Sequence, residues 1–300
     1  MTSASSGHHL TSALVTADWL ASRLDEIIVL DASIARTVGP DGATRFGNGR
    51  EVFEAGHIPG ARFADLFDGF SDPTAPFPFT RPTVPQIEAA ARALGVCRNS
   101  TVVAYDSLSG AWAARLWWVL RSFGFKTVHV LNGGLAAWRA GGYAVKTGPS
   151  GPPSQPGDFV AAPQDGFFTD LRTVKSIAEH RPAGTVLICG TRRAEFIGTE
   201  NGGNRPGHIP GSLSLPYPDL LDANGKMEAG SSLAQWAALG CGTPERVVLY
   251  CGGGINAAGL ALGLSEAGVR GLTIFDGSLN EWRADATLPM EIGGPDRPGS

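Results

Sequence analysis

Short apolar runs, each followed by a helical stretch, mark the second half of the chain. Residues 185–189 and 246–250 are almost entirely apolar and are bounded by turn-forming residues, which is typical of strands buried on both faces of a sheet. Leucines and alanines from 257 to 267 predict a helix that ends at Gly268, and residues 272–275 predict another strand. This order of strand, helix and strand predicts a parallel sheet with right-handed crossovers.

The first half carries the same elements. Strands are predicted at 101–105 and 127–131, with a helix over 111–122 between them and a second helix after Gly133 and Gly134. Both halves are therefore expected to be α/β, each with a small parallel sheet flanked by helices.

Three blocks of sequence recur in the same order in the two halves. They are GHIPG at 56–60 and 207–211, TVVAYD at 101–106 and RVVLYC at 246–251, and NGGLAAWR at 132–139 and FDGSLNEWR at 275–283. The offset is nearly constant, because the pentapeptides are 151 residues apart, Asp106 and Cys251 are 145 apart, and Trp138 and Trp282 are 144 apart. Such periodicity indicates a duplicated domain.

Prolines and glycines between the two copies predict an extended linker. We therefore predict an N-terminal domain at 1–146, a linker at 147–166 and a C-terminal domain at 167–300. Corresponding strands end in Asp106 in the first copy and in Cys251 in the second. We predict that the first domain is catalytically silent and that the second carries the chemistry.

The composition excludes several classes of partner. The chain of 300 residues has 24 basic and 28 acidic residues, a formal charge of -4 and no cationic run, so we expect neither nucleic acid nor a membrane surface as a partner. The first 20 residues lack a signal-peptide pattern, and Arg115 interrupts the most apolar segment, so no membrane span is expected. The four cysteines form neither a disulfide framework nor a metal-binding spacing. A reducing compartment, the cytoplasm, is predicted.

The loop after the strand at 246–250 is the candidate reactive site. Cys251 is followed by Gly252, Gly253 and Gly254, and then by Ile255 and Asn256 at the predicted start of a helix. Glycines allow the backbone N–H groups to converge on one point, and the helix adds the positive end of its dipole. Such a cradle favours a thiolate, which attacks a sulfane sulfur and forms a persulfide that the same donors stabilise.

The other cysteines have simpler interpretations. Cys97 and Cys241 are expected to be small apolar residues of the core, as free cysteines commonly are. Cys189 ends a predicted strand. It either fills space there or provides a second thiol close to the Cys251 loop.

These residues resemble the rhodanese superfamily, specifically its tandem-domain thiosulfate and 3-mercaptopyruvate sulfurtransferases. The repeated GHIPG, the strand that leads into a six-residue cysteine loop, and the segment from Asp276 to Trp282 match in order, and the resemblance covers nearly the whole chain. It implies two tandem rhodanese-like domains, of which the first is silent and the second carries a persulfide on Cys251. It also implies a small anionic sulfur donor, an acceptor such as cyanide, a thiol or thioredoxin, and no metal or organic cofactor.

In this family the sequence of the cysteine loop correlates with the sulfur donor that the enzyme uses. A cationic side chain after the cysteine accompanies thiosulfate, whereas a Cys-Gly-Ser-Gly-Val-Thr loop accompanies 3-mercaptopyruvate. Gly252 adds no charge, so the resemblance favours 3-mercaptopyruvate, with thiosulfate as the alternative. The chain departs from the mercaptopyruvate loop at Gly253 and Asn256, which lack its hydroxyl groups.

The family holds the donor carboxylate with arginines after the first strand of the second domain, a task that suits the guanidinium fork. The resemblance gives Arg192, Arg193 and Arg205 as candidates, with Glu195 at the position of the nearer family arginine. His57 is a further candidate at the cleft. Its alternative, shared with His208, is to hold a turn through the imidazole ring.

Two other functions use the same fold. Cysteine-dependent phosphatases and arsenate reductases need an arginine that closes the loop, because the transferring phosphoryl group is charged, and position 257 is Ala. A non-catalytic binding scaffold is the second alternative, against which the intact Cys251 argues.

Overall fold

A computed structural model describes residues 12–40, 44–200 and 205–293. Residues 1–11 lie outside the described residues. They include part of the segment for which we predict no targeting signal. The described part forms two five-stranded parallel sheets and one antiparallel hairpin.

The elements of the N-terminal half are, in order, β1 (Leu14–Val15), α1 (Ala17–Ala21), β2 (Ile28–Asp31), β3 (Ile34–Val38), β4 (Thr44–Asn48), α2 (Arg50–Ala55), β5 (Arg62–Phe63), α3 (Val84–Ala93), β6 (Val102–Tyr105), α4 (Ala111–Ser122), β7 (Val128–Leu131) and α5 (Gly134–Ala140). The sheet order is β1-β7-β6-β2-β5, and β3 and β4 form the separate hairpin.

The elements of the C-terminal half are β8 (Phe168–Thr169), α6 (Leu171–His180), β9 (Thr185–Cys189), α7 (Arg193–Phe196), β10 (Leu213–Ser214), a short 3-10 helix (Tyr217–Leu220), α8 (Ala229–Ala238), β11 (Arg246–Tyr250), α9 (Ile255–Glu266), β12 (Leu272–Phe275) and α10 (Ser278–Ala284). The sheet order is β10-β9-β11-β12-β8. Read in reverse, it matches the order of the first sheet element by element.

The predicted elements are confirmed with small shifts at their ends. The strands β9, β11 and β12 and the helix α4 have the predicted limits. The helix α9 begins at Ile255, two residues before the apolar pattern, because the glycine loop and not the first alanine sets its start. All neighbouring strands of both sheets pair in parallel, as the strand, helix, strand order predicts.

The two domains share one hydrophobic core. One cluster of buried side chains joins residues of α4 with residues of α9, and it includes Cys251 at the edge of the second sheet. Within the second domain the absence of a side chain at Gly259 of α9 leaves room for the ring of Tyr217, whose hydroxyl donates across the interface to the Ser109 carbonyl. Two further clusters of buried side chains cover the outer faces of the sheets, one in each domain. The helices that follow the two corresponding loops therefore meet at the domain interface.

The segment 147–166 contains neither helix nor strand. It runs along the first domain, where Phe159 packs on Phe125 at a ring distance of 5.7 Å and the Ala162 amide donates to the Phe123 carbonyl at 2.9 Å. The domain limits at 146 and 167 stay a prediction. No helix within the described ranges could cross a bilayer.

Candidate active site

Cys251 lies directly after β11, at the carboxyl edge of the second sheet. Its side chain is buried, with 3% exposure. Gly254 ends the loop in the left-handed region, with φ of +83°, and is the N-cap of α9. A side chain is unfavourable in this conformation. The glycine therefore lets the chain turn from the strand into the helix immediately after the cysteine.

A turn at the start of α10 holds the loop. The Cys251 amide donates to Ser278 Oγ at 3.2 Å, and the carbonyl groups of Cys251 and Gly252 each accept a backbone N–H, from Leu279 and Asn280, both at 2.9 Å. Ser278 is fully buried and has φ of +50°, a conformation that is strained for a residue other than glycine. Backbone strain is therefore located at the residue that fixes the Cys251 amide.

The backbone N–H groups of the cysteine loop differ from most amides of a folded protein. In the part of the chain that the structure describes, none of the N–H groups of residues 252–257 has a hydrogen-bond acceptor. Buried N–H groups usually have a partner. Unpaired donors next to Cys251 are consistent with the anion cradle that the glycines predict, and the cradle stays a prediction.

The first domain shows the same cradle with an anion in it. The Asp106 carboxylate accepts four backbone N–H groups, those of Leu108 and Gly110 on Oδ1 at 2.8 and 3.0 Å and those of Trp112 and Ala113 on Oδ2 at 3.1 and 3.0 Å. Gly110, with φ of +81°, is the N-cap of α4 as Gly254 is of α9. Burial raises the pKa of Asp106, and these backbone bonds oppose the rise.

Cys189 lies on the opposite face of the sheet from Cys251. It belongs to the cluster of Tyr250 and Phe275, whereas Cys251 belongs to the core shared with α4. The Sγ atom lies 3.2 Å from Thr191 Oγ1. Burial raises the pKa of the Cys189 thiol to about 11, which favours the space-filling interpretation over a second reactive thiol.

Two side chains of the first domain, Arg115 and Phe79, lie against the cysteine loop together with groups of the second domain. The guanidinium of Arg115 and the carbonyl oxygen of Asp276 would lie 3.1 and 3.2 Å from a Cβ at Gly254. At Gly253 a Cβ would lie 3.0 Å from Asn280 Nδ2 and 3.9 Å from the Phe79 ring. On the other side of the interface, the Tyr217 hydroxyl donates to the Ser109 carbonyl at 2.6 Å. The first domain therefore forms part of the wall around the cysteine loop.

The three candidate arginines occupy different places. Arg192 and Arg193 begin α7, which follows β9 at the same carboxyl edge as Cys251. The Arg192 guanidinium is 61% exposed and pairs with Glu195 at 2.8 Å and with Glu200 at 2.9 Å. Arg205 donates to the carbonyl groups of residues 283, 285 and 288 at the far end of α10. The start of α7 thus shares the carboxyl edge of the sheet with Cys251, whereas Arg205 is bound by carbonyl groups near the end of α10, and a role for any of the three in substrate binding stays a prediction.

His57 is buried in the first domain. Its ring stacks on Phe53 at 4.0 Å, and Nδ1 lies 3.0 Å from the Phe53 carbonyl oxygen. His208 repeats this arrangement on Phe196, with a ring distance of 3.6 Å and a contact of 2.8 Å. Both histidines pack beside the outer clusters, away from the core that contains Cys251. The identical geometry in both copies favours the alternative of turn support.

Several residues of the site were missed from the sequence. Asp276, Ser278 and Asn280 lie in a recurring block, where the first copy has Asn132, Gly134 and Ala136. A comparison of the two copies, like the one that identified Cys251 at the position of Asp106, would have indicated these three residues. Arg115 is the only charge in the first ten residues of α4, and a lone charge in an apolar helix suggests a buried ion pair.

Comparison with known proteins agrees with the two-domain fold. The model of the Rhodanese-like domain matches residues 16–141 and again 170–285. The 3-mercaptopyruvate sulfurtransferase of Escherichia coli is 34% identical over 94% of this chain and 98% of its own length, and the probable 3-mercaptopyruvate sulfurtransferase of Pseudomonas aeruginosa is 35% identical over 94% and 99%.

A solved structure shows the same fold over most of the chain. The crystal structure of SseA from Escherichia coli, described as a 3-mercaptopyruvate sulfotransferase with the rhodanese fold, superposes with a TM-score of 0.76 at 31% identity. It covers 89% of this chain and 99% of that one. Two matched domains, relatives of full length and a shared fold lead to one conclusion: the chain belongs to the family of proteins with Rhodanese-like domains.

Proposed function

We propose that the protein is a sulfurtransferase that carries sulfur as a persulfide on Cys251. The observation that supports this most directly is the contrast between the two loops. The first loop satisfies its amides with the Asp106 carboxylate, whereas the second has the same amides around a cysteine and no acceptor for them among the described residues. Amides of Gly252, Gly253, Gly254, Ile255 and Asn256 would hold a thiolate or a persulfide anion.

The proposed reaction has two steps. The Cys251 thiolate attacks the sulfur of the donor, a new S–S bond forms, and the C–S bond of 3-mercaptopyruvate breaks. Its electron pair leaves on carbon as the enolate of pyruvate, which takes up a proton. The acceptor thiolate or cyanide then attacks the outer sulfur, the S–S bond breaks, and the Cys251 thiolate is restored. Because the sulfur itself is the carried group, the scheme needs no metal and no organic cofactor.

The donor that we favour is 3-mercaptopyruvate, with thiosulfate as the alternative. Gly252 places no cation beside the sulfur, so a dianion such as thiosulfate would meet amides alone within the loop. The relatives from Escherichia coli and Pseudomonas aeruginosa are named for 3-mercaptopyruvate, whereas one from Arabidopsis thaliana is named for both donors.

The start of α7 is the proposed site for the donor carboxylate. Arg193 is the first residue of this helix and its side chain is exposed. Arg193→Gln should raise KM for 3-mercaptopyruvate by about tenfold, the loss expected for one charge-assisted hydrogen bond, with little change in kcat. Steady-state kinetics of the variant check this, and an unchanged KM would remove Arg193 from the site.

The acceptor and the compartment are also proposals. A small thiol, a thioredoxin-like protein or cyanide can reach a persulfide at a cleft of this kind. All four cysteines are free, which suits a reducing compartment, and we propose the cytoplasm.

Intact-protein mass spectrometry tests the proposal. The protein is incubated with 3-mercaptopyruvate or, separately, with thiosulfate, and the preferred donor should add one sulfur to Cys251. Cys241→Ser is the matched control and should still gain the sulfur, whereas Cys251→Ser should not. If neither donor modifies the protein, a non-catalytic scaffold becomes the better interpretation. The ratio of kcat/KM for the two donors decides the donor.

A further inference from the structure

Arg115 of the first domain is fully buried, and its guanidinium contacts the second domain. It lies in the middle of α4 with 0% exposure. Its Nη2 donates to Asp276 Oδ1 of the second domain at 2.6 Å and also to the carbonyl of Phe79. The guanidinium carbon lies 4.9 Å from the Phe168 ring centroid. Each of these contacts except that to Phe79 crosses the domain interface.

A buried arginine in this place is energetically unfavourable as simple interface packing. Within the described residues its Nε and Nη1 atoms have no hydrogen-bond acceptor. A buried charge with unpartnered donors costs stability, and an apolar side chain of similar volume is often at least as stable. The site therefore retains a cation for a reason other than packing.

The partner of Arg115 begins the turn that holds the cysteine loop. Asp276 also accepts the Arg81 backbone N–H on Oδ2 at 2.7 Å, so both of its oxygens are bound by the silent domain. Ser278, Leu279 and Asn280, the residues that follow within the same turn, make the three hydrogen bonds to Cys251 and Gly252.

A second contact joins Arg115 to the loop itself. A Cβ at Gly254 would lie 3.1 Å from Arg115 Nη1 and 3.7 Å from its guanidinium carbon. The flat guanidinium therefore lies against the residue that turns the loop into α9. Arg115 therefore contacts the turn that holds the cysteine loop, through Asp276, and the loop itself, at Gly254.

We propose that Arg115 is a positioning residue for sulfur transfer, through which the silent domain fixes the Cys251 loop. This inference rests on the proposed function of Cys251. It gives the first domain a role in the reaction: α4 fixes Asp276 and Gly254, and these fix the cysteine and the amides around it. Misplacement of a reacting group by about 1 Å can cost on the order of 100-fold in rate.

The test compares substitutions on the same helix. Arg115→Met keeps the length of the side chain without its charge, and Arg115→Lys keeps the charge without the planar fork. We expect Arg115→Met to lower kcat by about 10- to 100-fold while KM changes by less than about threefold, and Arg115→Lys to recover part of the loss. Alkylation of Cys251 by iodoacetamide at fixed pH should slow in parallel.

Arg121→Met is the matched control. Arg121 is half-buried on the same helix, and its guanidinium packs over the Trp117 ring at 5.7 Å. It lies beside the first residues of β11 and β12, at the edge of the sheet opposite to Cys251. This variant should keep the wild-type kcat and alkylation rate. All rates are measured on protein that circular dichroism shows to be folded.

Two outcomes overturn the inference. Folded Arg115→Met with wild-type kcat and alkylation rate would leave Arg115 as an interface residue only. If Arg115→Met does not fold, Asp276→Asn removes the same ion pair from the other side, and wild-type rates in that variant would have the same consequence. Failure of the wild-type protein to use either donor would contradict the proposed function, whereas the alkylation rates would still test Arg115.

Discussion

The loops at Asp106 and Cys251 are two versions of one structure. Each follows the central strand of its sheet, ends in a glycine with φ near +80° and leads into a helix at the domain interface. The Asp106 loop is one residue longer and places a carboxylate on its own amides. The Cys251 loop places a thiol among amides that have no acceptor in the described part of the protein.

If the proposed function holds, the same type of loop serves stability in the first copy and chemistry in the second. In the first domain the acceptor is the Asp106 carboxylate of the chain itself, so four amides of the loop are satisfied in the folded state. In the second domain the amides can be satisfied by a negative sulfur species formed during the reaction, and donors placed in advance need no reorganisation at that point. The stability of the first loop and the reactivity of the second should therefore respond differently to substitution.

The largest effect is expected from Cys251→Ser. Loss of the nucleophile should lower turnover with 3-mercaptopyruvate by at least about 1000-fold, since covalent transfer has no substitute path. Cys189→Ser should retain most of the activity, because Cys189 lies on the other face of the sheet. Initial rates of pyruvate formation measure both. Residual activity in Cys251→Ser above one tenth of wild type would show that the two loops have been assigned the wrong roles.

A large contrast is also expected in thiol reactivity. The pKa of Cys189 is about 11 because of burial, so at pH 8 only about one thiol in 1000 is ionised there. Iodoacetamide at pH 8 should label Cys251 and leave Cys189 unmodified, and labelling of Cys189 should rise about tenfold for each unit of pH up to its pKa. Peptide mass spectrometry reads out each site. Equal labelling at pH 8 would contradict the burial of Cys189.

Removal of the anion from the first cradle should affect stability. Asp106→Ala leaves four N–H groups without their acceptor, and we expect a loss of about 2–4 kcal/mol in the free energy of unfolding. Cys251→Ala should lose about 1 kcal/mol or less, since no loop amide depends on the sulfur. Urea unfolding gives both values. A similar loss in the two variants would mean that the cradles are stabilised in the same way.

The smallest effect is expected from alanine substitution of the two N-cap glycines, Gly110 and Gly254. Alanine at Gly110 or Gly254 must adopt a positive φ, which costs about 1–2 kcal/mol in each copy. Gly254→Ala should also displace the loop, because its Cβ would meet Arg115 and the Asp276 carbonyl at 3.1 and 3.2 Å, whereas at Gly110 the nearest atom is the Tyr217 hydroxyl at 3.4 Å. We expect lower kcat only in Gly254→Ala. Equal kcat in both variants would show that the loop tolerates the shift.

Local sequence was informative where a repeat or a short period carries the signal. The apolar runs located the strands that end at Cys251 and at Asp106, and the glycines located the turn between strand and helix. The arginine candidates were less well determined, because a side chain near a motif in sequence can lie at the far end of a helix in space. Arg205, which donates to carbonyl groups at the end of α10, is an example.

Periodicity, turn residues and repeated motifs are local features of the chain. For this reason the duplication, the order of the elements and the cysteine at the position of Asp106 can be predicted from the amino-acid sequence alone. Three other features depend on contacts between distant parts of the chain: the face of the sheet on which Cys189 lies, the left-handed Ser278 that accepts the Cys251 amide, and the pairing of Arg115 with Asp276. The last two residues are 161 positions apart. The partner of a buried charge is set by the packing of α4 against the second domain, and no local pattern records that contact.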